Sequence, residues 1–168
     1  MNAVSFTVRS ERVEDAAGIA AVHRAAFEQN GESALVDELR RAGLHLASFV
    51  STEEGRIVAH ALFSRVHVEA AEGLEPAVAL GPTAVLPEYQ RMGHGGAVIG
   101  AGLESVRAGA ERLVLVLGDP AYYGRFGFDS AVAASITAPW SGRSWMGMVL
   151  HGDSIEGRAC YPEPWSLV

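Results

Sequence analysis

Leu86-Pro87-Glu88-Tyr89-Gln90-Arg91-Met92-Gly93-His94-Gly95-Gly96 lies between a strand-like run, residues 77–85, and the apolar positions Ile99, Leu103, Val106 and Ala110 at helical spacing. A turn of this kind, leading from strand to helix, aims consecutive backbone N–H groups at one point. The positive end of the helix adds to them, and glycines at 93, 95 and 96 let an anion approach the backbone without a Cβ in the way. The stretch therefore reads as an anion site. Two neighbouring readings drop out. A dinucleotide fingerprint counted from Gly93 needs glycine or alanine where Val98 stands, and it would follow the strand at once rather than after Pro87-Glu88-Tyr89. A Walker-type loop needs lysine, and all 13 Lys+Arg positions are arginine.

Working outward, residues 6–8 read as a first strand. Val13, Ala16, Ile19, Ala20, His23 and Phe27 then recur as a helix that Gly31 is expected to break. Leu35, Val36 and Leu39 mark a second short helix ending near Gly43. Residues 48–51 and 57–68 are strand-like and joined at Glu53-Glu54-Gly55-Arg56, which predicts an antiparallel hairpin. Residues 70–76 read as a polar connection, and Gly81-Pro82 predicts a bulge or exposed edge within the strand at 77–85. The helix opened by the glycine loop ends near Gly109. Leu113-Val114-Leu115-Val116-Leu117 has the unbroken apolar character of a strand buried on both faces. Asp119 and Pro120 suit the cap and first position of another helix. In the tail, residues 131–137, 145–150 and 159–161 are the strand candidates. His60, between Val58 and Leu62 on one strand face, reads as a packed histidine.

The 168 residues, 49% hydrophobic and 20% charged, fit one folded α+β domain spanning 1–168. Residues 1–7 carry no basic stretch followed by an apolar run, and nothing approaches a membrane span, so a cytoplasmic location is expected. Cys160 has no second thiol to pair with, which agrees with a reducing compartment, and the six histidines show no metal-ligand spacing. A net charge of −7 argues against nucleic acid and favours a cationic substrate. Without lysine, a pyridoxal phosphate Schiff base and a lysine nucleophile are excluded too.

Gln90-Arg91-Met92-Gly93-His94-Gly95 resembles the Gln/Arg-x-x-Gly-x-Gly/Ala motif of the GNAT superfamily of acyl-CoA N-acyltransferases. Downstream, Tyr123-Gly124-Arg125-Phe126-Gly127-Phe128 resembles that superfamily's Tyr-x-x-x-Gly-Phe segment. The wider stretches at 86–90 and 117–128 are similar to the bacterial YhbS-like group of predicted N-acetyltransferases. The resemblance implies a GNAT-like fold, with a mixed central sheet splayed at the cofactor site and flanked by helices. It implies acetyl-CoA as cosubstrate, no metal, and a primary amine acceptor on a small molecule or peptide. Backbone groups of Thr83, Ala84 and Val85 would pair with the pantetheine arm, and N–H groups of Arg91, Met92, Gly93, His94, Gly95 and Gly96 would hold the pyrophosphate. The Arg91 side chain would add charge, and the His94 side chain is a weaker candidate phosphate ligand.

The mechanism so implied is direct attack of the amine on the thioester through a tetrahedral intermediate, with Tyr123 placed to protonate the departing thiolate or to hydrogen-bond its developing charge. Tyr122 is expected to pack instead. The sequence departs from its relatives in two places. Gly118-Asp119-Pro120 stands where many carry a cofactor-contacting asparagine, and the strand at 113–117 has no carboxylate base. Glu28, Glu32, Glu69 or His67 could each relay a proton through water. Trp140, Trp145 and Trp165 could line an acceptor pocket, form a homodimer surface or pack. Two other classes stay open: a non-catalytic acyl-CoA-binding regulatory or interaction module, and a nucleotide-phosphate binder.

Overall fold

The computed structural model describes residues 5–168. Of residues 1–7, on which the absence of a targeting leader is read, the first four lie outside that span. The chain runs β1 (Thr7–Ser10), α1 (Ala16–Ala26), α2 (Gly31–Arg41), β2 (His45–Glu53), β3 (Arg56–Ala70), β4 (Gly73–Val85) and α3 (His94–Arg107). It continues through β5 (Leu113–Leu117), α4 (Pro120–Tyr123), α5 (Ser130–Ala133), β6 (Ile136–Thr137), β7 (Trp145–Val149) and β8 (Gly157–Cys160). The strands form one mixed sheet in the order β1-β2-β3-β4-β5-β7. β8 pairs with the far end of β3, beyond the reach of β2, and holds β6 in parallel. Apart from that pair and the parallel β4·β5 contact, neighbours are antiparallel. The expected GNAT-like mixed sheet with flanking helices is therefore present.

Alternation along β3 decides which helix covers which face. Ala59, Ala61 and Phe63 join Val98, Ile99, Leu103 and Val106 of α3 in one core cluster. On the opposite face Leu62 packs with Ile19 of α1 and with Leu35, Val36 and Leu39 of α2, while Val66 and Val68 meet Trp145, Ile136 and Ile155 of the tail. β5 is sandwiched between β4 and β7 as its apolar run predicts, except that Leu117 emerges half-exposed.

Three expectations are corrected. Gly31 does not end α1, which already stops at Ala26; it opens α2, and a Cβ there would lie 2.6 Å from the Leu167 carbonyl oxygen. The glycine is needed for that close approach. Residues 70–76 are not a free connection, because β3 and β4 stay paired out to Ala70 and Gly73, in spite of small and polar residues that form strand poorly by themselves. The strand expected at 131–137 is replaced by α5. Asp129 accepts a hydrogen bond from the Ala131 N–H at 2.8 Å and so caps a short helical turn, leaving only Ile136–Thr137 extended. Trp145 packs, one of the three readings open for the tryptophans, being 2% exposed with its indole N–H donated to the Ile136 carbonyl.

His60 is packed, as its strand neighbours suggest, and it joins a polar chain that fastens α1 to the sheet. Ser48 Oγ donates to Glu11 Oε2, so it accepts from His60 Nε2–H at 2.8 Å. His60 Nδ1 is then the bare nitrogen and accepts from His23 Nε2–H, also at 2.8 Å. Glu11 closes the chain against Arg40. Burial, reinforced by the Arg40 charge, lowers the His23 imidazole to about 4. Burial first, then His23 and Arg40, holds His60 well below its ordinary value. Both therefore bind protons more readily unfolded than folded. Their contribution is complete above the unfolded value near 6.5 and is lost as pH falls toward the folded one. Between pH 7 and pH 5 His23 alone should cost about 2 kcal/mol, or a fall in Tm of about 4–8 °C. A melting temperature that holds steady over that interval would overturn the assignment of neutral, buried imidazoles.

Candidate functional site

The site begins where the sheet comes apart. β4 and β5 are in register only at Val78↔Val114 and Ala79↔Leu115. Two residues later comes Gly81-Pro82, and there β4 carries two residues against one on β3, the bulge predicted from proline. Beyond it Thr83, Ala84 and Val85 remain paired with β3 on one side, and β5 has diverged from the other. An open strand edge results, offering backbone donors and acceptors to a ligand.

Past Val85 the chain makes a single turn, Pro87–Tyr89, and enters the glycine loop. Arg91 (φ 63°) and Gly93 (φ 94°) are both left-handed, an arrangement that curls successive N–H groups into a concave nest. For Arg91 this conformation costs on the order of 1 kcal/mol and needs the surrounding turn to hold it. α3 starts directly at His94, and its first backbone bond is Ala97 N–H to the Gly93 carbonyl at 3.0 Å. The N–H groups of His94, Gly95 and Gly96 thus have no helical acceptor and sit at the positive end of the helix. Gly95 is also sterically required, since a Cβ there would fall 2.8 Å from the Tyr122 hydroxyl.

A cleft of about 860 Å³ lies over these amides. Thr83, Ala84, Val85, Arg91, Gly93, Gly95, Gly96 and Tyr123 all line it, together with Phe27, Gln90, Asp119, Tyr122 and Arg125. Met92 and His94 do not. Met92 is largely exposed, and the His94 ring is fully buried with Nδ1 2.7 Å from Ser51 Oγ and Nε2 3.2 Å from Glu53 Oε2. Phe6 stacks against that ring at 4.2 Å. The His94 side chain is thereby engaged with β2, and only its backbone N–H remains for an anion.

Tyr122 and Arg125 were not legible as site residues. Tyr122 lines the cleft rather than simply packing, and the Arg125 guanidinium sits 4.6 Å from its ring centre, adding a second cation to the cleft that Arg91 lines. Asp119 accepts from the Ala121 N–H at 3.0 Å and caps α4 as predicted, with Pro120 at the first helical position. That short helix presents Tyr123. Its ring lies against Gly118, where a Cβ would come within 2.3 Å, and meets Tyr122 and Phe128 edge-on. Burial, then the neighbouring Tyr122, pushes the Tyr123 phenol up to about 12, with the nearby Thr83 hydroxyl offsetting part of the rise.

A second cavity, about 490 Å³, adjoins the first, and Phe27, Thr83 and Tyr123 line both. Its walls include Leu117, Trp140, Tyr161 and Trp165. Among the carboxylate and histidine candidates for proton relay, Glu32 alone lines either cavity. Glu28 is exposed, Glu69 is paired with Arg158 at 2.7 Å, and His67 is held in the β3 ladder.

Residues 7–131 match the family model described as an acetyltransferase (GNAT) domain. The chain is 36% identical over 136 residues to the uncharacterized N-acetyltransferase YhbS of Escherichia coli (strain K12), covering 80% of each protein. The crystal structure of YhbS from Escherichia coli in complex with CoA superimposes with a TM-score of 0.88 at 31% identity, over 99% of this chain and 94% of that one. A GNAT family acetyltransferase from Brucella melitensis in complex with acetyl-CoA gives 0.82 at 31% identity, over 96% and 99%.

Proposed function

Because the chain belongs to the GNAT acetyltransferase family, we propose that residues 1–168 form one catalytic domain that moves an acetyl group from acetyl-CoA to a primary amine. The observation that carries this reading is the continuity of the open β4 edge, the orphan amides at the start of α3, and Tyr123 along one cleft. Related chains crystallised with CoA and with acetyl-CoA support the choice of ligand. The single cysteine fits a cytoplasmic setting.

In this proposal Thr83, Ala84 and Val85 pair with the amides of the pantetheine arm along the free strand edge. The amides of Arg91 through Gly96 hold the pyrophosphate, and the side chains of Arg91 and Arg125 balance its charge. When bound, acetyl-CoA would supply a thioester whose carbonyl carbon the amine attacks, the C–S bond breaking only after the C–N bond has formed. The attacking amine must be neutral, and the expelled thiolate must gain a hydrogen bond or a proton. Tyr123 serves the second need. Full proton transfer from a phenol held at about 12 to a thiolate whose conjugate acid is near ~8.5 is uphill by about 5 kcal/mol. Its role is therefore to donate a hydrogen bond to the charge as it develops, with water supplying the final proton.

The test is direct. Acetyl-CoA present at ~100 times its Kd should stabilise the protein by about 2.7 kcal/mol, a rise in Tm of about 5–10 °C, and thiol should be released when amines are added. Thermal protection by ATP or NAD but not by coenzyme A would overturn the cofactor assignment. Tight acetyl-CoA binding with no thiol release on any amine would leave a binding module.

A further inference from the structure

The second cavity is walled by aromatic rings, yet it gathers polar atoms that are buried and lack a hydrogen-bond partner among the described residues. These are Glu32 Oε2, Trp140 Nε1 and Trp165 Nε1, each from a side chain lining the cavity. Buried groups of this kind are normally satisfied, because an orphan costs most of its desolvation energy. One carboxylate acceptor and two indole donors in a single apolar cavity call for a ligand that carries the complementary set. Gly31 lets the Leu167 carbonyl approach α2 closely, and Glu32 of α2 and Trp165 of the C-terminal segment line the same cavity. Trp165 in turn is stacked edge-on against Tyr161 at 5.1 Å, and Tyr161 against Trp140 at 5.0 Å.

We propose that this cavity is the acceptor site and that it selects an α-amino compound with an apolar side chain and an adjacent carbonyl, its ammonium held by Glu32 and its carbonyl by the indole N–H groups. The inference rests on the acetyltransferase reading and deepens it. Tyr123 and Thr83, shared by the two cavities, place such an amine beside the thioester. Aromatic walls suit both the side chain and the cation. The amine class follows from proton chemistry. An α-amine, near ~8, is partly neutral at pH 7.5, whereas an alkylamine near ~10.4 is almost wholly protonated. One ammonium proton leaves to bulk water, the lone pair attacks the thioester carbon, the nitrogen gives up its second proton to water as the C–S bond breaks, and water protonates the thiolate, so Glu32 orients the amine without being consumed. Glu32 is thus a binding residue for the acceptor.

The test is titration of tryptophan fluorescence in the full chain with phenylalaninamide, without acetyl-CoA, so that the result stands whether or not transfer occurs. Phenylalaninamide should saturate the signal, while 3-phenylpropionamide, which lacks the amine, and spermidine, which lacks the apolar body, should not. Glu32→Gln should weaken phenylalaninamide binding at least tenfold and raise its KM in thiol release with kcat within a few-fold, leaving the acetyl-CoA Kd unchanged. Trp165→Phe, which keeps a smaller aromatic ring and removes the N–H donor, should weaken the amide more than it weakens phenethylamine. Where Glu32→Gln lowers Tm, Glu32→Asp keeps the charge and should lose less affinity than Gln. A Phe-Gly-Gly arm distinguishes a free small molecule from a peptide N-terminus, both of which carry the proposed chemistry. Equal binding of phenylalaninamide by wild type and Glu32→Gln, or equal binding of 3-phenylpropionamide, overturns the proposal. Loss of acetyl-CoA binding in wild type would instead overturn the cofactor reading alone.

Discussion

Tyr123→Phe should lower the rate of thiol release about 100- to 1,000-fold while leaving the acetyl-CoA Kd within about twofold, the pattern of a donor that matters only as charge develops. The substitution removes one hydroxyl and keeps the ring, so the contacts with Gly118 and Phe128 that seat it persist. Steady-state rates, together with calorimetric titration of acetyl-CoA, separate the two effects. The pH profile adds a second constraint. With the phenol pushed up to about 12, Tyr123 stays protonated throughout the working range, and any rise in rate with pH below 10 belongs to the amine losing its proton. A falling limb between pH 8 and 10 that disappears in Tyr123→Phe would contradict the raised phenol. Unchanged kcat in Tyr123→Phe would remove the residue from the mechanism.

Gly102→Ala should destabilise the fold by about 2 kcal/mol or more, whereas Gly100→Ala, two residues earlier on the same helix, should stabilise it by about 1 kcal/mol. Both changes gain helix propensity, worth about 1 kcal/mol for glycine to alanine. The difference lies in what the new methyl meets. At Gly102 it would fall 1.9, 2.5 and 2.6 Å from three carbons of the Phe63 ring, which is 0% exposed and central to the core between α3 and the sheet. The ring or the helix must move, and contacts this short put the overpacking at the upper end of its usual range, about 3 kcal/mol or more, which outweighs the propensity gain. At Gly100 nothing lies within 4 Å. Thermal melts should show opposite signs, a loss of at least about 4 °C against a gain of about 2–4 °C. A rise in Tm for Gly102→Ala would mean that α3 does not sit so closely on β3.

Local signals in the chain were enough for the elements that end where a backbone rule forces them to. Pro82 removes a ladder donor and so implies the bulge in β4; Asp119-Pro120 caps α4 as written; the apolar run at 113–117 is a strand with neighbours on both sides. Local preference misleads where tertiary contact overrides it. The β3·β4 pair extends through small and polar residues because the two strands support each other and β8 supports β3. Gly31 resembles a helix breaker until the Leu167 carbonyl is seen against it. Tyr122 and Arg125 gave no signal as site residues, since α4 is too short to show a periodic face and its orientation comes from packing on Gly118 and Phe128.

Left to itself, the glycine loop with its strand before and helix behind determined a turn whose amides suit an anion, and with Tyr123 and Gly127-Phe128 downstream it carried the resemblance to the family to which the chain belongs. Those features are local: φ angles, orphan amides and missing Cβ atoms depend on residue identity at each position. The second cavity was beyond its reach. Glu32, Thr83, Trp140, Tyr161 and Trp165 come from distant parts of the chain and meet only because α2, the bulged β4 and the C-terminal segment pack together. Which polar atoms that packing leaves unpartnered depends on the whole arrangement of buried surfaces, and only the tertiary structure decided it.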